Sequence, residues 1–206
     1  EVYLDLYRSR GCPPVSHSAC YCEAYHPAYR VVADCYARYY EAFVKIDQAL
    51  AEKEMLLISI DGMCAAGKST MGRILQSVYS CNLFHMDDFF LPAELRTPER
   101  FIEPGGNVHY ERFLETVLKP LSKHQTVHYQ RFDCHQMAYQ PVIDRPYHSR
   151  NIIEGTYALH PQLLPYYSHI VVLKIDSQLQ IERLSKRNFK QIKQFQERWI
   201  PLENQY

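Results

Sequence analysis

Met55-Leu56-Leu57-Ile58-Ser59-Ile60 runs directly into Asp61-Gly62-Met63-Cys64-Ala65-Ala66-Gly67-Lys68-Ser69-Thr70. The first six residues are nearly all apolar, which suits a strand buried on both faces, as in a parallel sheet. Residues 62–69 satisfy Gly-x-x-x-x-Gly-Lys-Ser/Thr, and Ser69 through Leu75 reads as a helix. In such a strand–turn–helix the glycines let the backbone wrap an anion, with N–H groups pointing inward. The helix adds its positive end to the same point. Lys68 is expected on β- and γ-phosphate oxygens of a nucleoside triphosphate, and Ser69 on Mg²⁺. The competing reading is a glycine-rich turn with an exposed lysine, and the flanking strand and helix argue against it.

Outward from this turn, apolar runs and helical patterns alternate. Asn82–Met86, ending in Asp87-Asp88, is a second strand; Asn151–Ile153, ending in Glu154-Gly155, is a third; His169–Ile175 is a fourth. Phe113, Val117, Leu118 and Leu121 mark a helix between them. Ser177 with Gln180 forms a capping-box start for a helix carrying Leu179, Arg183, Leu184 and Arg187. Residues 126–143 read as two short strands. Residues 89–108 form a loop too long for a bare connector, as functional loops often are. Upstream, Val32, Tyr36, Tyr39, Phe43, Ile46 and Leu50 recur at steps of four and three, predicting an amphipathic helix over about 29–52. The expected organisation is an extension, 1–54, and a parallel α/β domain, 55–206.

Composition narrows the partners. Lys plus Arg and Asp plus Glu are equal at 23 each in 206 residues, so no overall field draws the chain to nucleic acid or anionic membrane. Phosphate binding must come from local arrangement. Seven cysteines, at 12, 20, 22, 35, 64, 81 and 134, are an odd number in a chain with ample core. Cys20-Tyr21-Cys22 with His17 and His26 matches no common zinc spacing. No apolar run reaches membrane-spanning length, and Glu1-Val2-Tyr3-Leu4-Asp5 lacks a leader's layout. Reduced thiols and a cytoplasmic location are the expectation.

Ligands of open α/β sheets bind beyond the carboxyl ends of the strands. Asp61, the pair Asp87-Asp88, and Glu154 occupy such ends. Phosphorylating a hydroxyl calls for one carboxylate to orient and deprotonate it, and for others to hold Mg²⁺. Asp87 and Asp88 are adjacent, so they are expected to point apart and differ in role. Glu154 gains meaning as a metal-shell group because it stands beside a phosphate turn. Arg183, Lys186 and Arg187 share a helical face, which either clamps a phosphoryl group or is simply solvated.

The segments Ile60–Thr70, His85-Met86-Asp87-Asp88-Phe89-Phe90-Leu91, Glu103-Pro104-Gly105-Gly106-Asn107, Ile153-Glu154-Gly155 and Trp199-Ile200-Pro201-Leu202-Glu203 resemble the bacterial uridine kinase-like family. This family groups with uridine–cytidine kinases, phosphoribulokinase and bacterial pantothenate kinase. The resemblance covers about 55–206, with a fainter match at His26-Pro27-Ala28-Tyr29-Arg30. It implies the three-layer fold of P-loop NTPases: a parallel sheet of about five strands, helices on both faces and a mobile lid. ATP would be held by Gly62, Cys64, Ala65, Ala66, Gly67, Lys68, Ser69 and Thr70, with Mg²⁺ on Ser69 and Glu154. Asp87 would be the general base, and Arg183 and Arg187 would be lid arginines reaching the phosphates. Phe90 and Tyr129 would line the acceptor site. Where uridine kinases offer an Asp to the ribose hydroxyls, this chain has His109.

These features imply an ATP- and Mg²⁺-dependent kinase acting on a hydroxyl of a nucleoside-like small molecule, with self-association left open. Two alternatives stay in view. The acceptor could be pantothenate-like or a sugar phosphate, or the chain could be a non-catalytic nucleotide-dependent switch using helix 29–52 as its partner surface.

Overall fold

The computed structural model describes residues 2–11, 17–27 and 32–206. It divides into two compact units, 1–43 and 44–206. Cys12 and residues 28–31, where the upstream helix was expected to begin, lie outside the described residues.

The first unit contains α1 (Val2–Ser9), α2 (Ala19–Tyr25) and α3 (Asp34–Arg38). Ser18 caps α2 by accepting the Tyr21 N–H, and His26 closes it in the left-handed conformation. The single helix expected over 29–52 is two helices. Tyr39 leaves helical geometry at φ −105°, ψ 15°, and α4 (Tyr40–Glu52) starts after it. Positions before that turn therefore fall out of phase with those after. Val32 and Tyr36 are exposed, whereas Ile46 is buried in the second unit.

The second unit is built on β1 (Leu56–Gly62), β2 (Asn82–His85), β5 (Arg150–Glu154) and β6 (His169–Leu173). They form one parallel sheet in the order β2-β5-β1-β6. The sheet is flanked by helices, as parallel strands require. Among the described residues it has four strands rather than about five. After β6 the apolar residues Phe195, Trp199 and Leu202 fall at helical steps of four and three. The chain accordingly stays helical through α9 (Ser177–Asn188), α10 (Ile192–Gln194) and α11 (Ile200–Gln205). The expected pair of short strands is an antiparallel hairpin, β3 (Val127–Asp133) with β4 (Ala138–Arg145), forming its own sheet.

β1 and β5 are buried nearly throughout, which accounts for their continuous apolar runs. Between β1 and β2 lies α5 (Lys68–Tyr79), with Met71 and Leu75 fully buried. The long loop 89–108 is not structureless. It holds α6 (Pro98–Ile102), capped by Thr97, and closes through a bridge between Phe90 and Val108. Arg100 ties its base by donating to the carbonyls of Gly106 (3.1 Å) and Val108 (3.2 Å) and pairing with Glu111 (2.9 Å). The expected helix near Phe113 runs from α7 (Tyr110–Phe113) through a π turn (Leu114–Leu118) into α8 (Lys119–Ser122). The start of α9 departs from the capping-box reading. Asp176 accepts the N–H groups of Gln178 (2.9 Å) and Leu179 (3.2 Å), which frees Gln180 for another role. Among the described residues no helix is long and apolar enough to cross a membrane, and the six cysteines there are free.

Candidate active site

Three strands deliver their carboxyl ends to one place. β1 leads into the phosphate turn, β5 ends on Glu154, and β2 ends on His85 before a 3₁₀ turn (Met86–Phe89). β5 pairs with both neighbours, so Ile60 sits opposite Glu154 and Glu154 opposite His85. The strand order changes direction here, the usual place for a ligand in an open α/β sheet.

The turn needs its glycines. Gly62 has φ 135°, and a Cβ there would lie 2.0 Å from the Leu173 carbonyl oxygen of β6. Gly67 has φ 104° and begins α5 with no side-chain cap, leaving the first-turn N–H groups to an external anion. Lys68 is buried and donates to the carbonyls of Gly62 (2.7 Å) and Met63 (2.9 Å) and to the Thr156 hydroxyl (2.9 Å). Its ammonium thus lies folded over the loop. Thr156 was not expected here; it follows Glu154-Gly155 and enters through the end of β5. The Cys64 N–H, expected on ATP, donates to Glu203 at 3.0 Å.

Asp61 immediately precedes the turn, in β1. It is buried and accepts the N–H groups of Tyr157 (3.2 Å) and Leu159 (2.7 Å) and the Tyr206 hydroxyl (2.8 Å). Burial nevertheless holds its carboxyl above the ordinary value. These bonds fix the turn after β5 and make Asp61 a structural acceptor.

The adjacent acids diverge, though a 3₁₀ turn rather than strand alternation separates them. Asp88 is buried, pairs with Arg131 (2.8 Å) and accepts from Tyr129 (3.3 Å). Asp87 is exposed to solvent. Surrounding protein raises its pKa first and Glu154 raises it further, while Lys68, Arg187 and His85 oppose the shift. Glu154 is buried and bonded to Nδ1 of His85, a partner the sequence did not single out. That bond chiefly raises the His85 pKa.

The remaining candidates separate. Arg183 donates to the Ala65 carbonyl (3.0 Å), and exposed Arg187 lies within electrostatic reach of Asp87. Lys186 pairs with Glu182 on the exposed side of α9, so the three cations do not act as one face. Phe90 is half-buried beside the bridge to Val108. His109 follows that bridge; its Nδ1 is buried without a partner, and burial lowers its pKa. Tyr129 lies in the core, its ring stacked on Phe89 at 5.4 Å. Its hydroxyl meets Asp88, not Asp87.

The residues fit a magnesium nucleotide. Ser69 lies in the first turn of α5, and Glu154 packs against that helix, its Cγ 3.4 Å from the Cβ position of Gly72. Among the described residues no cluster of three or more His, Cys, Asp or Glu is placed to hold a metal. Two oxygen ligands suit Mg²⁺, which commonly keeps waters and phosphate oxygens for the rest of its shell.

A strand–turn–helix phosphate cradle on a parallel sheet, with acids at the neighbouring strand ends, defines a P-loop kinase-like fold. No family model and no curated protein matches the chain. Solved structures of low sequence identity share this fold, and two of them illustrate it. One is described as a possible uridine kinase from Bacillus stearothermophilus, 18% identical, covering 73% of this chain and 89% of that one, with a TM-score of 0.54. Another is D-glycerate 3-kinase from Cryptococcus neoformans, 13% identical, covering 84% of this chain and 88% of that one, with a TM-score of 0.56. The expected likeness to uridine kinases is borne out in the fold.

Proposed function

We propose that this protein is an ATP-dependent kinase that transfers the γ-phosphoryl group to a hydroxyl of a nucleoside-like small molecule. The supporting observation is the pairing of the Lys68 phosphate loop with Asp87, a solvent-accessible carboxylate of raised pKa within electrostatic reach of Lys68, Arg187 and Glu154. A nucleotide switch has no use for such a base.

Lys68 and the N–H groups opening α5 bind the triphosphate. Ser69 and Glu154 are the residues that hold Mg²⁺, which supplies charge neutralisation at the phosphate oxygens when bound. Asp87 orients the acceptor hydroxyl and takes its proton as the oxygen–phosphorus bond forms and the bond to the β–γ bridging oxygen breaks. A raised pKa brings Asp87 closer to the basicity that proton abstraction near neutral pH requires. Arg187 stabilises charge on the moving group. Helical residues 187–199 act as the lid that excludes water.

A second reading changes only the acceptor, to a hydroxy acid or another non-nucleoside. His109 favours it: an imidazole provides one donor and one acceptor, where a ribose diol is best met by a carboxylate's paired oxygens. The likeness to a D-glycerate 3-kinase points the same way. Coupled ADP release with MgATP and a panel of nucleosides, hydroxy acids and sugar phosphates tests both readings. Turnover above the no-acceptor rate with uridine or cytidine supports the first. Turnover confined to hydroxy acids or sugar phosphates supports the second, and no stimulation by any acceptor rejects both.

A further inference from the structure

A loop whose N–H groups converge on an anion turns its carbonyls outward, and each of those carbonyls needs a donor. Four consecutive carbonyls in this loop have one. Lys68 serves Gly62 and Met63 from inside the motif. Gln180 Nε2 donates to the Cys64 carbonyl at 3.1 Å, and Arg183 Nη1 to the Ala65 carbonyl at 3.0 Å. Gln180 and Arg183 lie three apart, hence on one face of α9. Gln180 is a buried polar residue with 1% exposure, so its bond is made away from competing water.

Glu203 of α11 completes the arrangement. Its Oε2 accepts the Cys64 N–H at 3.0 Å and also meets Gln180 Nε2 at 3.4 Å. Both backbone polar groups of Cys64 are therefore bonded by side chains of α9 and α11. The next residue, Ala65, carries a left-handed φ of 60° without being glycine. Such a conformation persists only where surrounding bonds hold it. Through Gln180 Nε2, Glu203 shares a donor with the outward Cys64 carbonyl.

We propose that Glu203 is a positioning residue for nucleotide binding: with Gln180 it clamps the Cys64 backbone and presets the loop for the triphosphate. This rests on reading residues 62–69 as the nucleotide site. The clamp removes ordering that binding would otherwise have to supply.

The test is calorimetric titration of MgATP, without acceptor, into the full chain and its Glu203 variants. Glu203→Gln keeps an acceptor oxygen for the Cys64 N–H and should bind within about threefold of the parent. Glu203→Ala should weaken binding about tenfold, the loss expected for one hydrogen bond to a charged group. Glu203→Asp draws the carboxylate back by one methylene and should fall between them, giving a second measure if the alanine variant is too unstable to titrate. A residue that merely supports the fold would lower the melting temperature without this order in Kd. Unchanged or tighter binding by Glu203→Ala and Glu203→Asp overturns the proposal; tighter binding would mean the carboxylate occupies the anion's own place. If the parent itself binds no MgATP, the kinase reading falls and takes the clamp with it.

Discussion

Replacing Gly155 with alanine strikes the junction where β5 passes its load to the site. Gly155 has φ 151°, and a Cβ there would lie 2.5 Å from Met86 Cβ, 3.0 Å from Met86 Cγ and 3.3 Å from Met86 N. The nearest atom is the root of the Met86 side chain, so no rotamer change relieves the contact. Met86 itself is fully buried. Holding a non-glycine residue at such a φ costs roughly 1–3 kcal/mol. Overpacking a filled core costs about 1–3 kcal/mol more. Gly155→Ala should therefore lose about 2–6 kcal/mol, a large part of the roughly 5–15 kcal/mol that keeps a domain folded. Urea denaturation followed by circular dichroism reads this as an earlier midpoint at similar slope. Because Met86 precedes Asp87 and Gly155 follows Glu154, ADP release per folded molecule should fall as well. A midpoint shift worth less than about 0.5 kcal/mol would refute the reasoning, since that is the size of an ordinary surface substitution.

Two further outcomes follow from ionisation. Burial pushes the Cys64 thiol up to about 12, and Glu203 adds to it, so Cys64 should resist iodoacetamide at pH 8 while exposed Cys20 and Cys22 react; mass spectrometry of the labelled peptides checks the order. Burial lowers the His109 pKa below its ordinary 6.5. The unfolded chain then takes up that proton first, so the stability His109 contributes is complete above 6.5 and is lost as pH falls through its folded value. His109→Gln should flatten the acid-side decline of the urea midpoint, leaving the part due to His160, which burial shifts the same way.

The phosphate turn and the four core strands are legible in the sequence because their signals are local. A continuous apolar run marks a strand buried on both faces, and a glycine spacing marks the cradle. Asp87 and Glu154 are legible for the same reason, standing at the ends of such runs. What joins them is not local. Glu203 reaches Cys64 across 139 positions, Gln180 reaches it across 116, and His85 reaches Glu154 across 69. Gln180 even suggests a different role locally, as the partner in a capping box, until Asp176 is seen to hold the helix start. Tyr129 looks like a site aromatic, yet it is buried and its ring stacks on Phe89, a contact that no local pattern announces. The break at Tyr39 is hidden from periodicity, which registers spacing but not a single residue leaving helical dihedrals.

The central claim is that Asp87 performs proton abstraction beside a nucleotide site that does not depend on it. Asp87→Asn keeps the shape and removes the basicity, so the decisive measurement pairs MgATP titration with acceptor-dependent ADP release in parent and variant. The account predicts MgATP affinity within about threefold and a transfer rate lower by about a hundredfold or more, the usual contribution of a general base. Transfer at the parental rate by Asp87→Asn would contradict it.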